Sequence, residues 1–394
     1  MSTLRRVLLI LLCLLLTGCW DRVEINDVAF VYGTALDWQD DKIQVSLQIP
    51  LPGQMGGPGS QGGGGGQSGR KSWYTDSETS ENLVDAVRRM QARASRSLEF
   101  SHQRVVLIGE ALARKEIAPF MDEFARLPPH RLSSLVAVTE GPASKVMTTD
   151  VSMELLPLEM IRELLRQSMK QPRSLRDLFE LMLADGIDPA LPVVRTIDIP
   201  IKQLQNQKQI IQLNGMALFD ENNRMVAVLN QEEAKGILWA LNETRYPELI
   251  IPAPNGSGSI SSIFHEMNVK YSPVVRGDDL RMNVQVRATG IVTSNQSTYD
   301  LTYRVNMLQV ERKAEALIKR VIERSIQLAQ KHHSDPIGFG RLIYRQHPRE
   351  WKRIRERWQE LYPKVRVHVS VLARIEHPGA VTEPMGIQER DVQK

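Results

Sequence analysis

The alternation of apolar and polar residues divides the chain into a greasy leader, a set of short mixed elements, a polar break and a set of longer elements. Arg5 and Arg6 precede an unbroken apolar run, Val7–Leu16. A positive start followed by so short an apolar core describes a secretory signal, since a spanning helix takes about 20 apolar residues. Strand-like runs then cover Val28–Leu36 and Lys42–Ile49 around a turn at Asp37–Asp41. In the second run Ile43, Val45, Leu47 and Ile49 alternate with Lys42, Gln44, Ser46 and Gln48, the pattern of a half-buried strand. A strand resumes at Lys71–Thr75, and Thr79 and Ser80 are placed to cap a helix with Leu83, Val84, Val87, Met90 and Ala94 on its apolar face. The pattern next predicts a buried strand at Val105–Ile108 and a helix over Glu110–Leu127 stopped by Pro128-Pro129. A strand at Leu135–Thr139 and helices over Glu154–Met169 and Ser174–Ala184 follow. Leu191–Ile199 reads as an edge strand, because Pro192 and Pro200 would interrupt a central one.

Two segments break this order. Between Gly53 and Gly69 ten of seventeen residues are glycine, too little apolar surface to offset the entropy of ordering, so a mobile loop is expected. It lacks the GxxxxGK[ST] spacing of a phosphate-binding loop. Ile201–Lys208 is polar and glutamine-rich, a linker. Beyond it Ile211–Phe219 and Met225–Leu229 form a hairpin around Glu221–Arg224, and Asn230 with Glu233 opens a helix over Gln231–Leu241 as a capping box. Pro252, Pro254 and Asn255–Ser259 break the chain. Long strands are then predicted at Ile260–Tyr271 and Leu280–Val292, a helix over Met307–Lys331, and a helical region from Asp335-Pro336 to Leu361. A closing strand covers Lys364–Ile375. The class is α+β, with largely antiparallel sheets flanked by helices. The expected division is a leader at 1–18, a domain at 19–200 that one reading splits in two, a linker at 201–209, a domain at 210–378 and a polar tail at 379–394.

Composition narrows the classes of function. Hydrophobic residues at 42% and charged residues at 24% are those of a globular protein with a sizeable core. The net charge of +4 falls to about +2 without the leader's two arginines, which makes no case for a nucleic-acid partner. Of the two cysteines, Cys13 lies inside the leader. The other, Cys19, follows Leu16-Thr17-Gly18, and the order resembles a bacterial lipoprotein processing site. There cleavage falls between Gly18 and Cys19, and the Cys19 thiol carries diacylglycerol, with its amino group a further acylation site. Two chains make the attachment effectively permanent where one gives marginal binding. This covalent lipid is the one non-protein group expected, and no thiol remains for a disulfide or a thiolate metal site.

Candidate chemistry elsewhere is sparse. His332, His333 and Asp335 form the one cluster with metal-ligand residue types, at a helix end where histidine commonly complements the helix dipole; no metal site is assigned. No GxSxG, HExxH or kinase set is present, and Ser68 with Lys71 matches a Ser–Lys pair by spacing alone, so no catalytic residue is assigned. Arg345–Arg357 interleaves basic residues with Trp351. Its apolar positions Trp351, Ile354, Trp358 and Leu361 recur every three or four residues, an amphipathic seam. The seam fits packing against the last strands, and the basic residues Arg345, Arg349, Lys352 and Arg353 are the candidates for contact with a partner or an anionic headgroup.

Four segments together, Gly18–Asp27 (GCWDRVEIND), Gly215–Phe219 (GMALF), Gly236–Asn242 (GILWALN) and Asp335–Trp358 (DPIGFGRLIYRQHPREWKRIRERW), resemble the C subunit of the spore germinant receptors, a lipoprotein family of endospore-forming bacteria. The glycine-rich segment at 53–69 departs from that pattern. The resemblance implies a non-enzymatic, lipid-anchored subunit on the outer face of the spore inner membrane. Its partners would be a larger receptor subunit and a multi-spanning, transporter-like subunit. The competing reading is an exported lipoprotein that itself binds a small ligand for a transporter-like partner; two similar doubly wound halves would mark it, and the long consecutive strands of the second half do not.

Two expectations follow. Intact-mass analysis should show lipid on Cys19 of the native chain and none on Cys19→Ala. Replacing Gly53–Gly69 by a short turn should leave the melting temperature within a few degrees, because closure entropy grows slowly with loop length.

Overall fold

The computed structural model describes residues 24–54, 71–126, 131–151, 153–199 and 208–377. The expected leader at 1–18 and Cys19, most of the glycine-rich segment, residues 201–207 of the linker expected at 201–209 and the tail expected at 379–394 lie outside these residues.

The first body is an eight-stranded sheet in the order β10-β9-β8-β7-β6-β2-β3-β4. Its strands are β2 (Gly33–Gln39), β3 (Lys42–Pro50), β4 (Trp73–Ser80), β6 (Val105–Gly109), β7 (Leu135–Thr139), β8 (Ala190–Ile199), β9 (Lys208–Phe219) and β10 (Met225–Asn230). The middle four, β8, β7, β6 and β2, run parallel, with antiparallel pairs on both flanks. A parallel centre must be covered on both faces, and β6 shows it: all five of its residues are buried. Val106 and Ile108 join one core with Leu83, Met90, Phe124 and Leu178. Val105 and Leu107 join the other, with Val146, Leu158, Ile161 and Leu165. The covering helices are α1 (Leu83–Arg93), α2 (Glu110–Lys115), α3 (Ala118–Arg126), α4 (Ala143–Met147), α5 (Pro157–Ser168) and α6 (Leu175–Met182). A two-stranded parallel ribbon, β1 (Val28–Phe30) with β5 (Ser97–Glu99), lies beside it.

The second body is a four-stranded sheet, β11 (Glu248–Pro252), β12 (Ser259–Arg276), β13 (Asp279–Asn295) and β14 (Arg366–His377). It packs on α8 (Arg304–Lys331), whose Val310, Ala314, Ile318, Ile322 and Ile326 are buried at three- and four-residue spacing. The helix α7 (Gln231–Ala240) crosses α8 so closely that a Cβ on Gly236 would lie 2.4 Å from the Val321 carbonyl oxygen. At the open edge of β14, Glu311 accepts the Ile375 N–H at 3.0 Å and Glu315 the Ala373 N–H at 3.1 Å. Two acids thus cover part of an edge that would otherwise offer free donors.

The α+β class holds, with mixed sheets flanked by helices, but several local expectations fail. Leu191–Ile199 is a central strand: its ladder to β7 comprises only Val193 and Val194, so it begins after Pro192, which is where a central strand tolerates a proline. The expected helix over Glu110–Leu127 breaks between α2 and α3, where the buried Ile117 gives its N–H to the Asn223 carbonyl at 3.3 Å. Thr79 and Ser80 end β4, and Asn82 caps α1 by accepting the Asp85 N–H at 2.8 Å. Val84 is exposed, and Ala86 takes its place in the buried face. Asp37 belongs to β2, with the turn left to Asp40 and Asp41 at positive φ. Ile211–Phe219 pairs with β8, so the first sheet runs on past the expected boundary at 201–209. The run to Leu361 is a chain of short helices, α9 (Phe339–Gln346), α10 (Pro348–Ile354) and α11 (Trp358–Leu361). The strand β11 falls where only a break was expected.

The two bodies are clasped through the loops at 185–189 and 335–340. The Asp335 N–H donates to Asp188 Oδ2 at 2.7 Å, the Asp188 N–H to the Asp335 carbonyl at 3.0 Å, and the Arg341 N–H to the Gly186 carbonyl at 2.7 Å. Gly186 and Gly340 lie back to back; a Cβ on Gly186, which is at φ +71°, would lie 2.5 Å from the Gly340 carbonyl carbon. Burial pushes the Asp188 carboxyl up to about 6, helped by the negative charge of Asp220 and Glu221. Burial likewise pushes Asp335 up to about 7, against three N–H donors and with the charge of Asp188 adding to the rise. Both values lie above the ordinary 3.8 of an unfolded chain. The stability these groups contribute is therefore full below about pH 4 and is lost as pH rises through about 6 to 7. Asp188→Asn should flatten that loss. Thermal melts at pH 4 and pH 8 should show the variant gaining on the parent by roughly 1–3 kcal/mol between the two, part of it already by pH 5.

Candidate functional site

The segment Asp335–Trp358 is built around one carboxylate. Asp335, 1% exposed, accepts the N–H groups of Gly338, Phe339 and Gly340, each at 2.9 Å. These are donors left free at the start of α9, so the side chain caps the helix. Gly338 enters that turn at φ +78°. From this fixed start α9 and α10 turn their apolar side inward. Phe339, Ile343, Trp351, Ile354, Trp358 and Leu361 are buried. Ring contacts run from Tyr271 through Phe339, Tyr362 and Trp358 to Trp351, with centroids 5.5 to 6.2 Å apart. The amphipathic seam is core.

The opposite side of the same helices is basic. Arg345, Arg349, Lys352 and Arg353 are exposed, and among the described residues none is ion-paired. Their neighbours differ: Arg355 reaches Glu356 at 3.7 Å, and Arg357 reaches Asp278 at 3.0 Å and Glu360 at 3.5 Å. Four cations without an ion pair among the described residues, on short helices backed by an aromatic core, form a positive surface.

The other expected features fall as follows. Cys19 and Gly18 lie outside the described residues, as does Ser68. Lys71 reaches Asp150 at 3.4 Å and stacks on Trp73 at 4.6 Å. His333 Nδ1 lies 3.1 Å from the Gln359 carbonyl, away from any metal-ligand geometry with Asp335, whose oxygens are taken by backbone. Among the described residues no three His, Cys, Asp or Glu side chains could hold a metal ion, and no helix is long and apolar enough to cross a membrane.

Open α/β sheets usually take ligands at the C-terminal ends of their parallel strands. Here that crevice is floored by the chain itself. Asp37, buried at the end of β2, accepts the Ala143 N–H at 2.6 Å and the Ser144 N–H at 2.8 Å. A Cβ on Gly109 would lie 2.0 Å from its carboxylate. Neither this role of Asp37 nor the clasp at 185–189 was read from the sequence. The one local signal for the clasp was Asp-Gly-Ile-Asp-Pro between a helix and a strand.

Comparison with known proteins agrees across the chain. Residues 21–196 match the spore germination protein N-terminal domain, and residues 214–379 match the spore germination B3/GerAC-like C-terminal domain. The chain is 35% identical over 375 residues to the putative spore germination protein YfkR of Bacillus subtilis, covering 95% of this chain and 96% of that protein. It is 26% identical over 401 residues to spore germination protein KC of the same organism, covering 98% of each. The crystal structure of the GerBC protein superposes with a TM-score of 0.54 at 17% identity, over 87% of this chain and 96% of that one, a likeness of fold. With an N-terminal and a C-terminal domain match in order, and a relative similar along nearly its whole length, the chain belongs to the GerAC-like family of spore germination proteins, the C-subunit family that its sequence resembles.

Proposed function

We propose that the protein is a lipid-anchored, non-enzymatic subunit of a nutrient germinant receptor, held by Cys19 on the outer face of the spore inner membrane. It acts by contact with a larger receptor subunit and a multi-spanning, transporter-like subunit. Family membership ties the chain to spore germination. The observation that carries the contact mechanism is the set of exposed, unpaired cations on α9 and α10 above a buried aromatic core. An anchor on Cys19 would raise the local concentration of that surface at the membrane, turning partner capture into a nearly intramolecular event.

The test compares nutrient-triggered germination, co-purification from spore membranes, and circular dichroism melts. Replacing Arg345, Arg349, Lys352 and Arg353 by Glu should abolish co-purification and slow germination. Each substitution should cost under about 0.5 kcal/mol of stability, as exposed changes usually do. Cys19→Ala should weaken germination and leave the melt unchanged. Normal co-purification by the charge-reversed protein would overturn the basic surface as the contact, and normal membrane retention by Cys19→Ala would overturn the tether.

A further inference from the structure

The crevice between the two bodies on the α7 side is a built cavity that the contact mechanism does not use. It measures about 640 Å³, within the range of roughly 300–1,000 Å³ typical of small-molecule sites. The end of α5 supplies Met169, the edge of the first sheet supplies Leu213, α7 supplies Leu238 and Trp239, and the second body supplies Leu249 and Val321. Its lip carries Tyr246 and Ile250, each 67% exposed, large apolar side chains that a solvated rim has no need of. Trp239 Nε1 and Thr244 Oγ1 are buried in the wall with no hydrogen-bond partner among the described residues. Both are sealed from solvent in this state, so an acceptor on a ligand reaches them only as the wall shifts around it.

A second hollow of about 530 Å³ shares Ser168, Thr244 and Tyr246 of this wall and adds Arg166 and Arg245. The acids nearby are largely engaged: Glu163 with Arg162 at 2.7 Å, and Glu232 with Lys235 at 3.2 Å. Arg245 is exposed, and among the described residues its side chain donates to the Arg166 carbonyl at 3.2 Å. A largely apolar chamber thus opens onto the Arg245 guanidinium, which makes no ion pair among the described residues, while Glu163 in the same hollow is held by Arg162 at 2.7 Å and Arg166 at 3.7 Å. Glu248, which lines the chamber and makes no ion pair among the described residues, is the acid least neutralised toward an anion there.

We propose that this crevice binds a small, mainly apolar molecule with one anionic group, its body in the chamber behind Tyr246 and its charge on Arg245. Binding would fix the first body against α7 and β11, whose contact encloses the chamber.

Fluorine NMR on the full chain tests this with three probes of one shape, para-trifluoromethylbenzoate, the matching benzamide and the matching benzylamine. Benzoate should bind at one site and more tightly than the amide, with the amine weakest. Leu238→Trp, which fills the chamber from a half-buried position, should weaken benzoate and amide alike by about tenfold or more. Arg245→Glu, at an exposed position, should weaken benzoate about tenfold and leave the amide unchanged. Circular dichroism melts of parent and Arg245→Glu should coincide, so that the charge arm stands even if Leu238→Trp fails to fold. Equal binding of benzoate to parent and Arg245→Glu, or tighter binding of the amine, would overturn the anionic class. Binding that a folded Leu238→Trp leaves intact would overturn the cavity.

Discussion

A buried carboxylate that makes no salt bridge still needs hydrogen-bond donors, and in this protein the backbone donors that Asp188 and Asp335 take help join the two bodies. Asp335 takes three N–H groups from the start of α9, while its own N–H and carbonyl engage Asp188 across the junction. The arrangement holds only if the loops touch backbone to backbone, which is why Gly186 and Gly340 carry no side chain where they meet. It also puts two acids in one dry site, where burial and mutual repulsion favour a retained proton. Both carboxyls are thereby held above their ordinary range, and the junction is expected to weaken as pH rises.

From that joint the surface follows. The cap on α9 fixes where the helix begins, His347-Pro348 turns the chain into α10, and the aromatic row from Tyr271 to Trp351 locks both helices onto the second sheet. Arg345, Arg349, Lys352 and Arg353 therefore stand on helices packed against the core. Long cationic side chains cost little to display in water and contribute little to stability there. Water satisfies them where they stand, and their grouping on one side of α9 and α10 is what singles them out as the contact surface proposed for a partner.

The candidate site was partly legible. The amphipathic spacing of Trp351, Ile354, Trp358 and Leu361 identified the buried side, and by subtraction the basic side, because helical periodicity is written into sequence. What could not be read was whether these cations had partners, since Asp278, which neutralises Arg357, lies 79 positions away. The chamber behind Tyr246 was equally invisible. Its walls come from α5, β8, β9, α7, β11 and α8, and no local pattern marks a place where six elements fail to meet.

Local chemistry settled the elements whose reasons are local. The capping box at Asn230, the helix opening at Ser174, the alternation of β13 and the run of α8 all survived, whereas β3, expected to be half-buried, is covered on both faces from Val45 to Ile49. The resemblance carried by Gly236–Asn242 and Asp335–Trp358 was also a property of sequence alone. Tertiary structure decided the rest. Pro192 sits in a central strand because the parallel ladder to β7 begins after it, and the helix from Glu110 breaks because Ile117 is needed by the turn after β9. Residues 211–230 extend the first sheet because β8 offers them an edge, although the polar stretch before them reads as the end of a domain. In each case the deciding partner is far along the chain, and long-range hydrogen bonds and burial outweigh the roughly 1 kcal/mol that local propensity can set against them.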